Sequence, residues 1–155
     1  MSAPRQQESP ISDEAITALQ GALSAEHAAL WSYTLVLAFV PSDQAAQARD
    51  DIEAHRMLRS QIEQTLTELG ARPVSAQPAY TSPQPVTDAL SAGRLAVAAE
   101  DDAMAAWRSV LEHTEEPQLR AAGLKSLVEG TTRSARWRIA TGTTPVIPPF
   151  PGVTR

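Results

Sequence analysis

The placement of proline constrains this chain more than any other feature of its sequence. Inside an α-helix a proline removes a backbone hydrogen bond and clashes with the preceding turn, so long helices can form only where proline is absent. The 12 prolines fall at 4, 10, 41, 73, 78, 83, 85, 117, 145, 148, 149 and 151. Between them lie four proline-free stretches, each long enough for about seven helical turns. Composition indicates what fills them: 27 of the 155 residues are Ala and only 5% are aromatic, a small-residue core that suits closely packed helices better than sheets.

The first helix is expected from about Ser12, an N-cap followed by Asp13 and Glu14, to about Val40, with the seam Ile16, Leu19, Leu23, Leu30, Leu37 and Val40. A second starts after the Pro41-Ser42-Asp43 turn and stops at Gly70, burying Ala45, Ala48, Ile52, Leu58, Ile62, Leu66 and Leu69. The third is capped by Thr87, with Asp88 behind it, and runs to about Thr114 through Leu90, Val97, Met104, Trp107 and Leu111. The fourth opens with Pro117 in its first turn and reaches Gly142, with the seam Leu124, Val128, Ala135 and Ile139.

Short turns near 41 and 115 imply two antiparallel hairpins. The connection from Gly70 to Val86 is proline-rich and polar. Its roughly 16 residues reach about 50 Å when extended, enough to traverse a helix about 40 Å long. The alternative, a linker between two hairpin domains, leaves each hairpin with too little to bury. The expected fold is all-α: a ferritin-like antiparallel four-helix bundle with one long crossover between helices 2 and 3. Residues 1–11 are expected to be a flexible N-terminal segment, 12–142 the bundle, and 143–155 an extended proline-rich tail laid along the bundle or a partner subunit.

The chain has no Cys, which excludes a disulfide framework and thiolate metal sites. A net charge of −5 argues against nucleic acid or an anionic membrane as a partner. No apolar run approaches the roughly 18 residues of a membrane span, and MSAPRQQESP lacks a signal-peptide core, so a cytoplasmic location is expected. Gly-rich phosphate loops and Ser/His/Asp arrangements are also missing.

Chemistry concentrates where polar residues interrupt the seams. Glu26 takes a core position in the first helix, and His55 does so in the second, 29 residues later. In the second hairpin Glu100 and Glu129 repeat the 29-residue spacing at an offset of 74. Counted from the hairpin turns, all four lie near one level of the bundle. A carboxylate in an apolar core is normally paired, protonated or bound to a metal. Three Glu and one His form a hard O/N ligand set for iron, manganese or zinc. The same four could equally form a salt-bridge network, since Arg133 lies one turn after Glu129, Arg56 adjoins His55 and Arg94 lies within two turns of Glu100. Asp51, at i−4 from His55, is either a substitute ligand or a solvated, Arg-paired side chain. His27 is expected to face outward, and His113 to complement a helix C-terminus. Glu115 and Glu116 read as solvated first-turn charges. Trp31, Trp107, Trp137, Tyr33 and Met104 read as core or helix-contact residues.

The constellation resembles the ferritin-like di-iron proteins, in which two helices each give a Glu and two each give a Glu-x-x-His pair. Glu26 and Glu100 match the single carboxylates, His55 the His of the second helix and Glu129 the Glu of the fourth. Ile52 and Thr132 stand where the remaining Glu and His would be. More broadly, residues 14–152 are similar to a small bacterial ferritin-like family of unknown function, through Ala25-Glu26-His27-Ala28-Ala29, His55-Arg56, Pro78-Ala79-Tyr80 leading to Pro85-Val86-Thr87-Asp88, Trp137-Arg138 and Phe150-Pro151-Gly152. Two functions follow as expectations. One is a binding or structural module, its small-molecule ligand unknown, acting as a homodimer through helix faces and the tail. The other is an iron- or manganese-dependent oxidoreductase, activating O₂ or peroxide or handling iron, with Glu26, His55, Glu100 and Glu129 as metal ligands.

Overall fold

A computed structural model describes residues 11–153. The flexibility expected for the N-terminal segment concerns residues outside this range, except for Ile11, which packs against the core. Four helices form, with no strand among the described residues: α1 (Asp13–Phe39), α2 (Ser42–Glu68), α3 (Ala89–Glu112) and α4 (Pro117–Thr141).

Local chemistry sets each boundary. Ser12 caps α1 by accepting from the Ala15 amide at 3.2 Å. α2 closes in a Schellman motif: Gly70 takes φ +76°, the Gly70 amide donates to Thr67, and the Ala71 amide donates to Leu66 at 2.9 Å. The cap of α3 is Asp88 rather than Thr87, because the Asp88 carboxylate accepts from the Ser91 amide at 2.8 Å while the Ser91 hydroxyl accepts from the Asp88 amide. Glu116, expected to be solvated, caps α4 by accepting from the amides of Gln118 and Leu119. His113 ends α3, its ring donating to the Ser109 carbonyl at 2.7 Å.

α1 packs on α2 and on α3, and α3 packs on α4, whereas the backbones of α2 and α4 scarcely meet. The long crossover runs up one face of α1. Gln20 accepts from the Val74 amide and donates to the Arg72 carbonyl, both at 2.8 Å, in effect adding one peptide-like rung. His27 is buried rather than outward-facing and donates to the Val74 carbonyl at 3.1 Å. Trp31 meets Tyr80 with ring centroids 5.9 Å apart. The tail lies back on the bundle: Arg138, paired with Asp101 at 2.6 Å, donates to the Pro145 carbonyl at 3.0 Å. Gly152, at φ +79°, sits so close to α3 that a Cβ would lie 2.7 Å from the Met104 carbonyl oxygen.

One seam is turned around. Leu124, Val128 and Ile139 of α4, expected in the core, are 56%, 57% and 67% exposed, and Leu90 of α3 is also exposed. The buried face of α4 is instead Leu119, Gly123, Ser126, Gly130, Arg133, Ser134, Trp137 and Arg138. Small residues win this face because α3 comes close: a Cβ on Gly123 or on Gly130 would lie 3.0 Å from a Leu111 or Met104 side-chain carbon. Buried residues form two apolar clusters. One is built around Leu19, Leu23, Ile62, Leu66, Trp107 and Leu119, the other around Tyr33, Val36, Ile52, Leu95 and Trp137.

This orientation of α4 predicts opposite outcomes for two substitutions. Gly130→Val overfills the contact with Met104 and should cost roughly 1–3 kcal/mol in urea unfolding. Leu124→Ser on the outer face should change stability by no more than about 0.5 kcal/mol.

Candidate functional site

Each helix places two polar-tipped side chains at the junction of the two apolar clusters, spaced four or seven residues apart so that both fall on one face. They are Glu26 and Tyr33 of α1, Asp51 and His55 of α2, Glu100 and Trp107 of α3, and Arg133 and Trp137 of α4. All eight are buried.

His55 is the centre. Its Nδ1 lies 2.6 Å from Glu26 Oε2 and its Nε2 lies 2.9 Å from Glu100 Oε1. Trp107 Nε1 donates to the other Glu26 oxygen at 2.8 Å. Arg133 Nε donates to both Glu100 oxygens at 3.1 Å, and the Tyr33 hydroxyl donates to Glu100 Oε1 at 2.7 Å. The same hydroxyl lies 3.2 Å from Asp51 Oδ2, which accepts from Trp137 Nε1 at 2.8 Å. One hydrogen-bonded chain thus runs Trp107, Glu26, His55, Glu100, Tyr33, Asp51, Trp137, with Arg133 joined at Glu100.

The electrostatics follow from this order. A neutral imidazole would turn one bare ring nitrogen toward a carboxylate oxygen, whereas an imidazolium donates in both directions. Burial alone pushes His55 down, but the hydrogen bonds and charges of Glu100 and Glu26 outweigh it and carry its pKa from 6.5 to about 9. Burial likewise pushes Glu100 up, yet the hydrogen bond and charge of His55, with Arg133 and Tyr33, hold it below the usual carboxylate range. Asp51 is raised, burial prevailing over the hydrogen bond from Trp137. Burial, followed by the charges of Glu100 and Asp51, raises the Tyr33 phenol well above its ordinary value.

Of the four residues picked out in the sequence, Glu26, His55 and Glu100 come together and Glu129 does not. Glu129 is half exposed and lies 3.9 Å from Lys125. The hairpin count fails in the second hairpin on face rather than level: Gly130 faces inward, where a Cβ would lie 3.8 Å from Glu100 Oε2, while neighbouring Glu129 lies half exposed and Arg133, one turn on, reaches Glu100. Arg56 turns out to solvent, where it pairs with Glu53, and Arg94 is also exposed. Asp51 is buried and held by Trp137 and Tyr33 rather than solvated. Tyr33, Trp107 and Trp137 were legible only as core aromatics. The signal that would have found their polar role is spacing: each lies four or seven residues from a charged seam residue.

The residues present do not suit a metal centre. Glu26 and Glu100 lie on opposite sides of the imidazole, which leaves neither ring nitrogen free to share a ligand with them. Arg133 already supplies a cation to Glu100. Among the described residues no group of three or more His, Cys, Asp and Glu is arranged to hold a metal ion.

This fold recurs elsewhere. The crystal structure of a conserved hypothetical protein, rv2844, from Mycobacterium tuberculosis superposes with a TM-score of 0.80 at 32% identity, over 83% of this chain and 98% of that one. Residues 18–155 match the family described as domain of unknown function DUF4439. The chain belongs to that family. No curated protein matches it. The DUF4439 match runs from α1 into the tail, so it includes every member of the buried network. No helix in the described part of this DUF4439 chain is long and apolar enough to cross a membrane.

A raised His55 pKa makes stability pH-dependent with a definite sign. Its contribution is complete below about pH 6.5 and is lost as pH rises through about 9. Urea unfolding at pH 6 and at pH 10 should therefore differ by roughly 3 kcal/mol, with the alkaline protein the weaker. Equal stabilities would contradict the protonated assignment.

Proposed function

We propose that this chain is a non-catalytic binding or structural module on a ferritin-like bundle, cytoplasmic in setting, whose carboxylate/His cluster serves as an internal ion-pair network. The observation that supports this most is His55, both of whose ring nitrogens are engaged by carboxylates. The charges balance nearly within the cluster: His55 and Arg133 face Glu26, Glu100 and an Asp51 whose ionisation burial opposes. Such a network is expensive to desolvate and adds little net stability over an apolar core, but it penalises any other alignment of the helices by stranding a buried charge. The reading as an iron- or manganese-dependent oxidoreductase draws less support, because it needs Glu129 in the cluster and a lone pair of His55 for the metal.

The test is to incubate the purified protein anaerobically with excess Fe(II) or Mn(II), remove free metal, and count what remains per chain while following O₂ uptake on exposure to air. The module reading expects no stoichiometric metal and no O₂ consumption above the free-metal control. Two irons per chain with O₂ consumption, or one tightly retained ion, would overturn it.

A further inference from the structure

α2 and α4 are tied by the Trp137–Asp51 bond, and their backbones scarcely meet elsewhere. Beyond that bond the residues facing across the gap are small, Ala54 on α2 and Ala122 and Ser126 on α4, and a cleft of about 400 Å³ opens between the helices. Its floor is apolar: Leu19, Ile62, Trp107 and Leu119 are all buried. Trp107 offers the cleft only its ring, since its N–H is engaged by Glu26. At the rim stand one cation and one anion, Lys125 and Glu129, 3.9 Å apart.

One polar group on this floor lacks a partner. α4 carries five hydroxyl side chains. Those of Thr131, Thr132 and Thr141 bond carbonyls of the preceding turn at 2.7, 3.2 and 2.9 Å, and that of Ser134 bonds Asp101 at 3.2 Å. The Ser126 hydroxyl bonds to no described residue, although Ser126 is only 4% exposed and lines the cleft. A buried hydroxyl left unpaired is costly. An ordered water against this floor would find one polar partner where it needs about two to four.

We propose that the cleft binds one uncharged, largely apolar small molecule, which hydrogen-bonds Ser126 at its inner end and rests on Trp107 and the aliphatic floor. The volume falls within the roughly 300–1,000 Å³ of small-molecule sites. It equals about a single turn of a helix roughly 10 Å across, so a helical peptide has no room. A charged molecule would leave its charge unpaired on the apolar floor, and the rim pair attracts neither sign over the other. Such a site rests on the binding-module reading and gives it a ligand class; that reading fails on metal retention and this one on probe binding, so the two fail separately.

N-phenyl-1-naphthylamine, an uncharged apolar dye with one N–H, is the probe, and its fluorescence should rise saturably to one dye per chain. Ala122→Phe brings a ring into the cleft from an exposed position, so dye affinity should fall by at least about tenfold while circular dichroism and the urea midpoint stay as in the wild type. Ser126→Ala should weaken dye binding about twofold to tenfold, the range of one hydrogen bond, and leave binding of 1-phenylnaphthalene, which has no N–H, unchanged. Nitrogen-15 NMR places the dye without a substitution: the Trp107 indole N–H resonance should shift, and that of Trp31, which packs on Tyr80 of the crossover, should not. No saturable binding, undiminished binding to Ala122→Phe, or a Trp107 resonance that stays in place would overturn the proposal. Ser126→Ala binding the dye as tightly as the wild type would overturn the hydrogen bond on which the ligand class depends.

Discussion

Everything in this bundle is arranged around one side chain that belongs to neither apolar cluster, the imidazole of His55 between Glu26 and Glu100. Moving three charges out of water is costly, and it is offset only where each finds its opposite at hydrogen-bonding distance. That condition reaches all four helices. α1 must bring Glu26 to one ring nitrogen, α3 must bring Glu100 to the other, and α4 must deliver Arg133 to Glu100. The connection between α2 and α4 depends most on it. Their backbones hardly touch, and the Trp137 indole reaching Asp51 is the bond that ties them. A slide of one helix by a single turn would strand a charge in each direction, so the network acts on alignment more than on net stability.

The small residues of the core make this geometry possible. Glycine at 123 and 130 lets α4 come close enough to α3 for Arg133 to reach both oxygens of Glu100. The cost of that closeness is that the larger apolar residues of α4 have no room on the inner face, and Leu124, Val128 and Ile139 turn outward. The buried network and the exposed stripe of α4 are two results of one packing choice.

Much of the architecture was legible in the sequence because helix breakers and caps are local. Proline positions marked the four helices, Ser12 capped α1, and Gly70 and Gly142 ended α2 and α4. Glu26, His55 and Glu100 could be picked out because a charge on an apolar seam violates the pattern around it. The orientation of α4 was not legible, since a search for large apolar side chains passes over a face of Gly and Ser. Nor was the partner of Glu100: counting from a turn gives a residue's level but not its face, and at that level Gly130 faces inward while Arg133, one turn on, reaches Glu100. Burial of Asp51 depended on an indole from α4, a long-range fact with no local trace.

The central claim is that a proton resides on His55, held between two carboxylates. Nitrogen-15 NMR of the histidine side chains at pH 7.5 tests it most directly. The account predicts that both ring nitrogens of His55 are protonated there and that the ring loses a proton only near pH 9. A single neutral tautomer at pH 7.5, titrating below about 6.5, would contradict it.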